Sequence, residues 1–399
     1  MPLVFIKEVY KRERIVPVRF TRYIDPVPAG TYAPDLDDRG YTEPYRGPVV
    51  GVCRGDLTRV TLVREQLIDN APLFVTSEDT SKLTLINPPP NPGQLPDGYE
   101  VSIDFRASST NDGDVKIRIH AQALDGPIVG ELTVHISQLL TVPCAVHRTA
   151  IYTPPSTRTA ANTTGRTFAD ITNLMNEVNR MWRPCGIEFH VDTQRDNTDL
   201  TNQVARNGIN PTDGALLCPV YGSGENNENF TRLMATNPVA NRLNIYFVRE
   251  IRTASADGRP FYVGFGSSAA RGCVVSDSAA DLETQAHTLA HELGHILNLS
   301  GIGHAVPEDA HADDDPQWHA TVTRRRHDLW SRRRLMYYMV GLNSTDRTGR
   351  GGRYAFAGTD VGYGEGRSGH MITIKNLAND QTDNEYADAR NRQASLFTP

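Results

Sequence analysis

His287-Thr-Leu-Ala-His291-Glu292-Leu-Gly-His295-Ile-Leu-Asn298-Leu-Ser-Gly301-Ile-Gly-His304 is the stretch around which the rest of the chain can be ordered. Residues four apart on an α-helix lie one above the other on one face. Helical spacing therefore brings His291 and His295 together, and two imidazoles so placed can hold one zinc ion. Glu292, one residue further round, is in reach of a water on the open side of such a metal and can take its proton. Ala286, Leu289, Ala290, Leu293, Ile296 and Leu297 recur at helical spacing and predict a buried stripe. Asp277, Ser278 and Asp281 offer capping groups ahead of it. Asn298 tolerates the left-handed conformation and stands where the helix has to stop, so a turn there can bring His304 back as a third ligand. The same spacing also suits a buried helix whose histidines are simply satisfied in the core.

The chain has 399 residues and a formal net charge of −6, an ordinary composition for a globular protein with room for two domains. A mildly acidic balance disfavours a nucleic-acid partner, and no apolar run is long enough to cross a membrane. Met1-Pro-Leu-Val-Phe-Ile-Lys-Glu8 lacks the basic start and apolar stretch of a secretory signal. The expectation is a cytoplasmic protein, one exported by a signal-independent route such as a toxin or effector, or one whose leader has been removed. Five cysteines, Cys53, Cys144, Cys185, Cys218 and Cys273, are scattered without C-x-x-C pairs, so they read as small buried residues rather than a disulfide framework.

Residues 1–141 form the first expected domain. Val101, Ile103 and Phe105, then Val115, Ile117, Ile119 and Ala121, then Leu132, Val134 and Ile136 alternate with polar residues. Turn signals at Asn111-Asp-Gly113 and Asp125-Gly-Pro127 separate them, and the pattern predicts an antiparallel β-sandwich. Leu3–Val9 and Leu57–Val63 are further strand candidates, and 87–93 is a proline-rich loop. This domain reads as a binding module or folding partner, or as a prosegment in which Cys53 supplies a thiolate to the zinc. Arg54-Gly-Asp56 is a triplet too short to imply adhesion.

The pattern changes near Val142-Pro143, and 142–399 is the second expected domain. Ala145–Tyr152 reads as its first strand. Phe168, Ile171, Leu174, Met175, Val178, Met181 and Trp182 predict a helix ended by Pro184 and Gly186; Ile187, Phe189 and Val191, then Leu243, Ile245 and Phe247, predict strands. Between His304 and the Met336 region lie Asp313-Asp-Asp315, Arg324-Arg-Arg326 and Arg332-Arg-Arg334, which read as solvated charged faces.

His291-Glu292-x-x-His295 and the residues downstream of it resemble the metzincin zinc peptidases, whose motif is H-E-x-x-H-x-x-G-x-x-H with a Met-turn beyond it. Here the pattern is lengthened: Asn298 stands at the usual glycine, Gly301 at the usual third histidine, and His304 three residues later. Glu308, His311 and Asp313 are the other candidates for the third ligand. Arg334-Leu-Met336-Tyr-Tyr338 resembles the Met-turn. The resemblance implies that Met336 lies beneath the metal and that Tyr338 approaches it and steadies an oxyanion. It covers about residues 143–345. Arg183-Pro-Cys185-Gly186 is similar to a cysteine-switch peptide, but its place between helix and strand makes it a turn. Residues 264–276 fall where the family has an edge strand along its cleft, to which an extended peptide can pair.

The resemblance implies an α+β chain with a metzincin-like catalytic domain, a twisted mixed sheet plus a zinc helix, behind the antiparallel sandwich. The expected activity is zinc-dependent endopeptidase on a peptide or protein substrate, with His291, His295 and His304 holding Zn2+ and Glu292 as general base. The same residues would serve a zinc amidase acting on cell-wall peptide. In a third reading the zinc is structural and the sandwich does the binding. Nothing in the sequence signals an oligomeric state.

Overall fold

The computed structural model describes residues 18–22, 26, 28–34, 36, 48–64, 72–89, 93–152, 157–198, 215–218, 228–253, 264–267, 271–277 and 282–297. Their strands are β1 (Val18–Arg22), β2 (Thr31–Tyr32), β3 (Val49–Cys53), β4 (Leu57–Arg64), β5 (Leu73–Ser77), β6 (Leu83–Asn87), β7 (Glu100–Ala107), β8 (Gly113–Ala121), β9 (Ile128–Ser137) and β10 (Leu140–Thr149). Helix α1 (Phe168–Trp182) and a 3-10 turn (Arg183–Cys185) come next, then β11 (Ile187–Asn197), β12 (Ala215–Cys218), helix α2 (Glu228–Met234), β13 (Leu243–Val248), β14 (Glu250–Thr253), β15 (Gly264–Ser267), β16 (Gly272–Ser276) and helix α3 (Leu282–Ile296). The chain divides into two compact units. One draws its described residues from Met1–Leu139 and Arg183–Gly186, the other from Leu140–Trp182 and Ile187–His370.

The first unit is built from two sheets over one core. The order β1-β4-β7-β6, with β2 beside β4, makes one sheet, and β3-β9-β8-β5 makes the other. Period-two alternation explains the packing. In β8, Val115, Ile117, Ile119 and Ala121 are buried while the residues between them are half-buried. Val60, Leu62, Ile103 and Phe105 from one sheet and Ile117 and Val134 from the other belong to the same buried cluster. On the outer face, opposite charges sit directly across from each other. Arg59 meets Asp104 through two bonds of 2.6 and 2.7 Å, and Arg118 lies opposite Glu131. Such cross-strand pairs favour one register over its neighbours.

The expected antiparallel sandwich is corrected here. Both sheets are mixed, because β2 runs parallel to β4 and β3 runs parallel to β9. Alternation fixes which face of a strand is buried and carries no information on the direction of its neighbour.

In the second unit the main sheet has the order β11-β10-β13-β16-β15. The first four strands are parallel, and β15 closes one edge antiparallel to β16. Strands β13 and β16 are buried along their whole length, as central parallel strands covered on both faces must be. On one face Phe230 and Leu233 of α2 pack with Tyr246, Val248 and Val274. The alternate residues of those strands point to the other face, where α1 and α3 pack on each other and α3 lies against β15 and β16. A separate parallel pair joins β12 to β14.

Helix α1 starts at a capping box. The Asp170 amide donates to Thr167 Oγ1 at 3.2 Å, and the Thr167 amide donates to the Asp170 carboxylate at 2.8 Å. The bonds that its carboxylate accepts from Thr167, the backbone N–H first and then the hydroxyl at 2.8 Å, hold the Asp170 carboxyl below its usual range. Asn179 ties the far end of α1 to β11, donating to Phe189 O at 3.0 Å and accepting from Phe189 N at 2.8 Å.

The expectation of an α+β chain with a metzincin-like catalytic domain is also corrected. The described residues are mostly strands in mixed and parallel sheets with three α-helices, and they do not compose a metzincin zinc-helix fold. The expectation rests on short local motifs, chiefly the helical one, and local spacing does not dictate the architecture around it. Among the described residues no helix is long and apolar enough to cross a membrane.

Candidate functional site

Helix α3 carries the residues that the sequence singles out. Its apolar stripe is where the spacing places it: Ala286, Leu289, Ala290, Leu293 and Ile296 are fully buried, as is Leu297 just beyond. The helix is held from two sides. Trp182, at the end of α1, donates its indole N–H to the carbonyl oxygen of Ala290 at 3.2 Å, one residue before His291. The ring of Trp182 is itself fixed edge-on against Phe189, 5.7 Å between centroids.

The second anchor lies at the start of the helix. Arg166 donates from Nε to Asp277 at 3.0 Å, from one terminal nitrogen to Gln285 Oε1 at 2.7 Å, and from the other to Ser276 O at 2.7 Å. Its guanidinium also lies over the Phe247 ring, 5.4 Å from the centroid. Burial lowers its pKa, and the bond and charge of Asp277 oppose that shift. One arginine thus links the end of β16 to the first turn of α3. The sequence offers Asp277 as a helix cap; instead its carboxylate accepts from Thr164 Oγ1 at 2.8 Å, Gly165 N at 2.7 Å and Arg166. A buried guanidinium without an anion costs more than a helix start without this particular cap.

On the helix so placed, the His291 and His295 rings lie 4.6 Å apart, centroid to centroid, at 90°. The structure therefore brings this pair together on one face, as the four-residue spacing requires. His291 is 3% exposed and Glu292 8%, while His295 is half-buried. Glu292 lies under the edge strand. A Cβ built on Gly264 of β15 would come within 2.8 Å of Glu292 Cγ, 3.2 Å of Glu292 Oε1 and 3.1 Å of Thr288 Cγ2. On the neighbouring strand, burial pushes the Cys273 thiol well above its usual range, and the negative charge of Glu292 adds to that shift.

His304, Met336 and Tyr338, and the alternatives Glu308, His311 and Asp313, lie outside the described residues. Among the described residues no group of three or more His, Cys, Asp or Glu side chains is placed to hold a metal ion. The donor chemistry of the pair nonetheless suits zinc: two imidazoles one turn apart with a carboxylate next to them.

Cys53, the candidate zinc thiolate of the first domain, is buried in the first unit, and its Sγ donates to Arg183 O at 3.1 Å within that unit. The Arg54-Gly-Asp56 triplet is likewise committed internally. Arg54 is bound to Asp112, and the Asp56 carboxylate, 7% exposed, accepts from Arg183 at 2.7 and 2.8 Å.

One buried polar cluster has no counterpart among the sequence-based expectations. His147 of β10 stacks on Tyr246 of β13 at 4.2 Å and 8°. Its Nε2 is 2.9 Å from Asn244 Oδ1, and its Nδ1 is 3.0 Å from Asn197 Nδ2. Asn244 Oδ1 also accepts from Val239 N, and Asn197 Oδ1 accepts from Asn237, so the amides fix the neutral tautomer with the proton on Nε2. His147, directly after the apolar run Cys144–Val146, and Asn244, inside Leu243–Phe247, were the available signal.

No family model matches the chain, and no curated protein matches it. Among solved structures, a family 123 glycoside hydrolase from Clostridium perfringens, studied for glycolipid glycan hydrolysis, is similar at 10% identity and a TM-score of 0.15. That alignment covers 43% of this chain and 37% of the other. Similarity of this degree assigns neither fold nor activity.

Proposed function

We propose that the chain is a zinc-dependent endopeptidase. The observation that carries the reading is the His291–His295 pair on one face of α3, with Glu292 beside it under a sheet edge. The motif's local resemblance to the metzincins supports the same chemistry without requiring their fold.

In this proposal His291 and His295 supply neutral imidazole nitrogens, and the third donor comes from the chain beyond Asn298, with His304 the expected residue. When bound, zinc polarises a carbonyl oxygen and lowers the pKa of a water. Glu292 takes the proton from the attacking water and delivers it to the leaving amine nitrogen. By the resemblance, Tyr338 would donate a hydrogen bond to the developing oxyanion and Met336 would belong to a Met-turn.

The test is cleavage of a broad peptide library by wild type and Glu292→Ala, each with and without chelator. Wild-type cleavage should vanish with chelator. Glu292→Ala should keep its zinc and lose roughly 10²–10⁴-fold in turnover, the usual worth of a positioned acid–base group. Turnover within a few-fold of wild type in Glu292→Ala would overturn the mechanism. A wild type inert on peptides but active on cell-wall peptide would replace endopeptidase with amidase.

A further inference from the structure

We infer that Gly264 is a positioning residue for Glu292: the bare backbone of the edge strand at this point sets where the carboxylate lies. The inference rests on the endopeptidase reading for its kinetic consequence, and on geometry alone for its structural one.

Gly264 is buried and is the first residue of β15, paired with Val275 of β16. A side chain on an edge strand would ordinarily hold the strand off the helix beneath it. Here nothing intervenes, and the backbone lies directly on α3. The three atoms nearest to a Cβ at this position are Glu292 Cγ, Thr288 Cγ2 and Glu292 Oε1, at 2.8, 3.1 and 3.2 Å. The closest of these is the stem of the proposed general base, and the third is its oxygen. Thr288, 3% exposed, stands one helical turn before Glu292, 8% exposed, so both neighbours are buried in a close-packed interior. A methyl group at 264 has to move the carboxylate, move the strand, or both. Gly264 is therefore needed for the space above Glu292, not for an unusual backbone angle, since its φ lies outside the left-handed region.

The kinetic effect comes from the sensitivity of proton transfer to position. A displacement of about 1 Å in a catalytic group costs on the order of 10²-fold in rate. Because Glu292 acts in the chemical step, the loss belongs in kcat and not in KM.

The experiment is a double-mutant cycle on the full chain: wild type, Gly264→Ala, Glu292→Ala, and Gly264→Ala/Glu292→Ala. Zinc content, unfolding midpoint and, for the two proteins that retain Glu292, kcat and KM are measured. The expected result is that Gly264→Ala keeps its zinc, loses about tenfold or more in kcat, and holds KM within about twofold. Its unfolding midpoint should drop by more in the wild-type background than in the Glu292→Ala background, because truncating Glu292 removes two of the three contacts. A Gly264→Ala protein that folds only when Glu292 is also truncated supports the inference in the same way. An equal drop in both backgrounds, or failure to fold in both, overturns it, as does a zinc-loaded Gly264→Ala with wild-type kcat. If the wild type cleaves no peptide, the endopeptidase reading fails, and the stability cycle still decides the role of Gly264.

Discussion

Protonating His147 would place a second N–H against the side-chain amide of Asn197, whose Nδ2 already lies 3.0 Å from Nδ1. Burial disfavours the imidazolium first; the nearby charge of Arg195 works the same way, the bond to Asn244 opposes them, and the pKa falls from 6.5 to about 4. The unfolded chain takes up this proton near pH 6.5 and the folded chain does not, so the contribution to stability is complete above 6.5 and is lost as the pH falls toward 4. A gap of that size is worth roughly 3 kcal/mol. In an NMR titration the His147 imidazole should remain the Nε2–H tautomer at pH 5; a His147 resonance titrating near 6.5 would contradict this assignment. At the same scale, His291, Glu292 and His295 were legible because one helix fixes their spacing. His147 was not, because its partners Asn197 and Asn244 come from two other strands, and only tertiary pairing brings them within reach.

Single elements were readable where a side-chain period decides burial. The alternations at 101–105, 115–121 and 132–136 lie within β7, β8 and β9, and the 3.6-residue stripe from Phe168 to Trp182 coincides with α1. In strand β13 the period stops being informative. Leu243, Ile245 and Phe247 read as the inward half of an alternation, yet Asn244, Tyr246 and Val248 are buried too, because a central parallel strand is covered on both faces. Between elements, the Arg166–Asp277 pair is the connection whose loss is most easily measured. Their side chains are 8% and 9% exposed. Arg166→Ala leaves the buried Asp277 carboxylate with only the half-exposed Arg249, 3.7 Å away, as its cation, and should cost about 3 kcal/mol in denaturant unfolding. A loss below about 1 kcal/mol would mean that the pair behaves as an exposed salt bridge and does not hold α3.

At the scale of the whole chain, the residue pattern separates a β-rich stretch from a mixed one but misreads the architecture of each. Parallel pairs such as β3 with β9 join residues some eighty positions apart, beyond the range of any local pattern. The HExxH spacing, strong as a statement about one helix face, is silent about the sheets around it. What survives as a proposal is chemical: an imidazole pair on α3 that holds zinc, next to a carboxylate pressed against a sheet edge. The most direct test is metal content by elemental analysis of the full chain, wild type against His291→Ala/His295→Ala, both produced with zinc present. We predict about one zinc per wild-type chain and its loss in the double variant. A wild type without zinc, or a double variant that retains as much as wild type, would contradict the proposal.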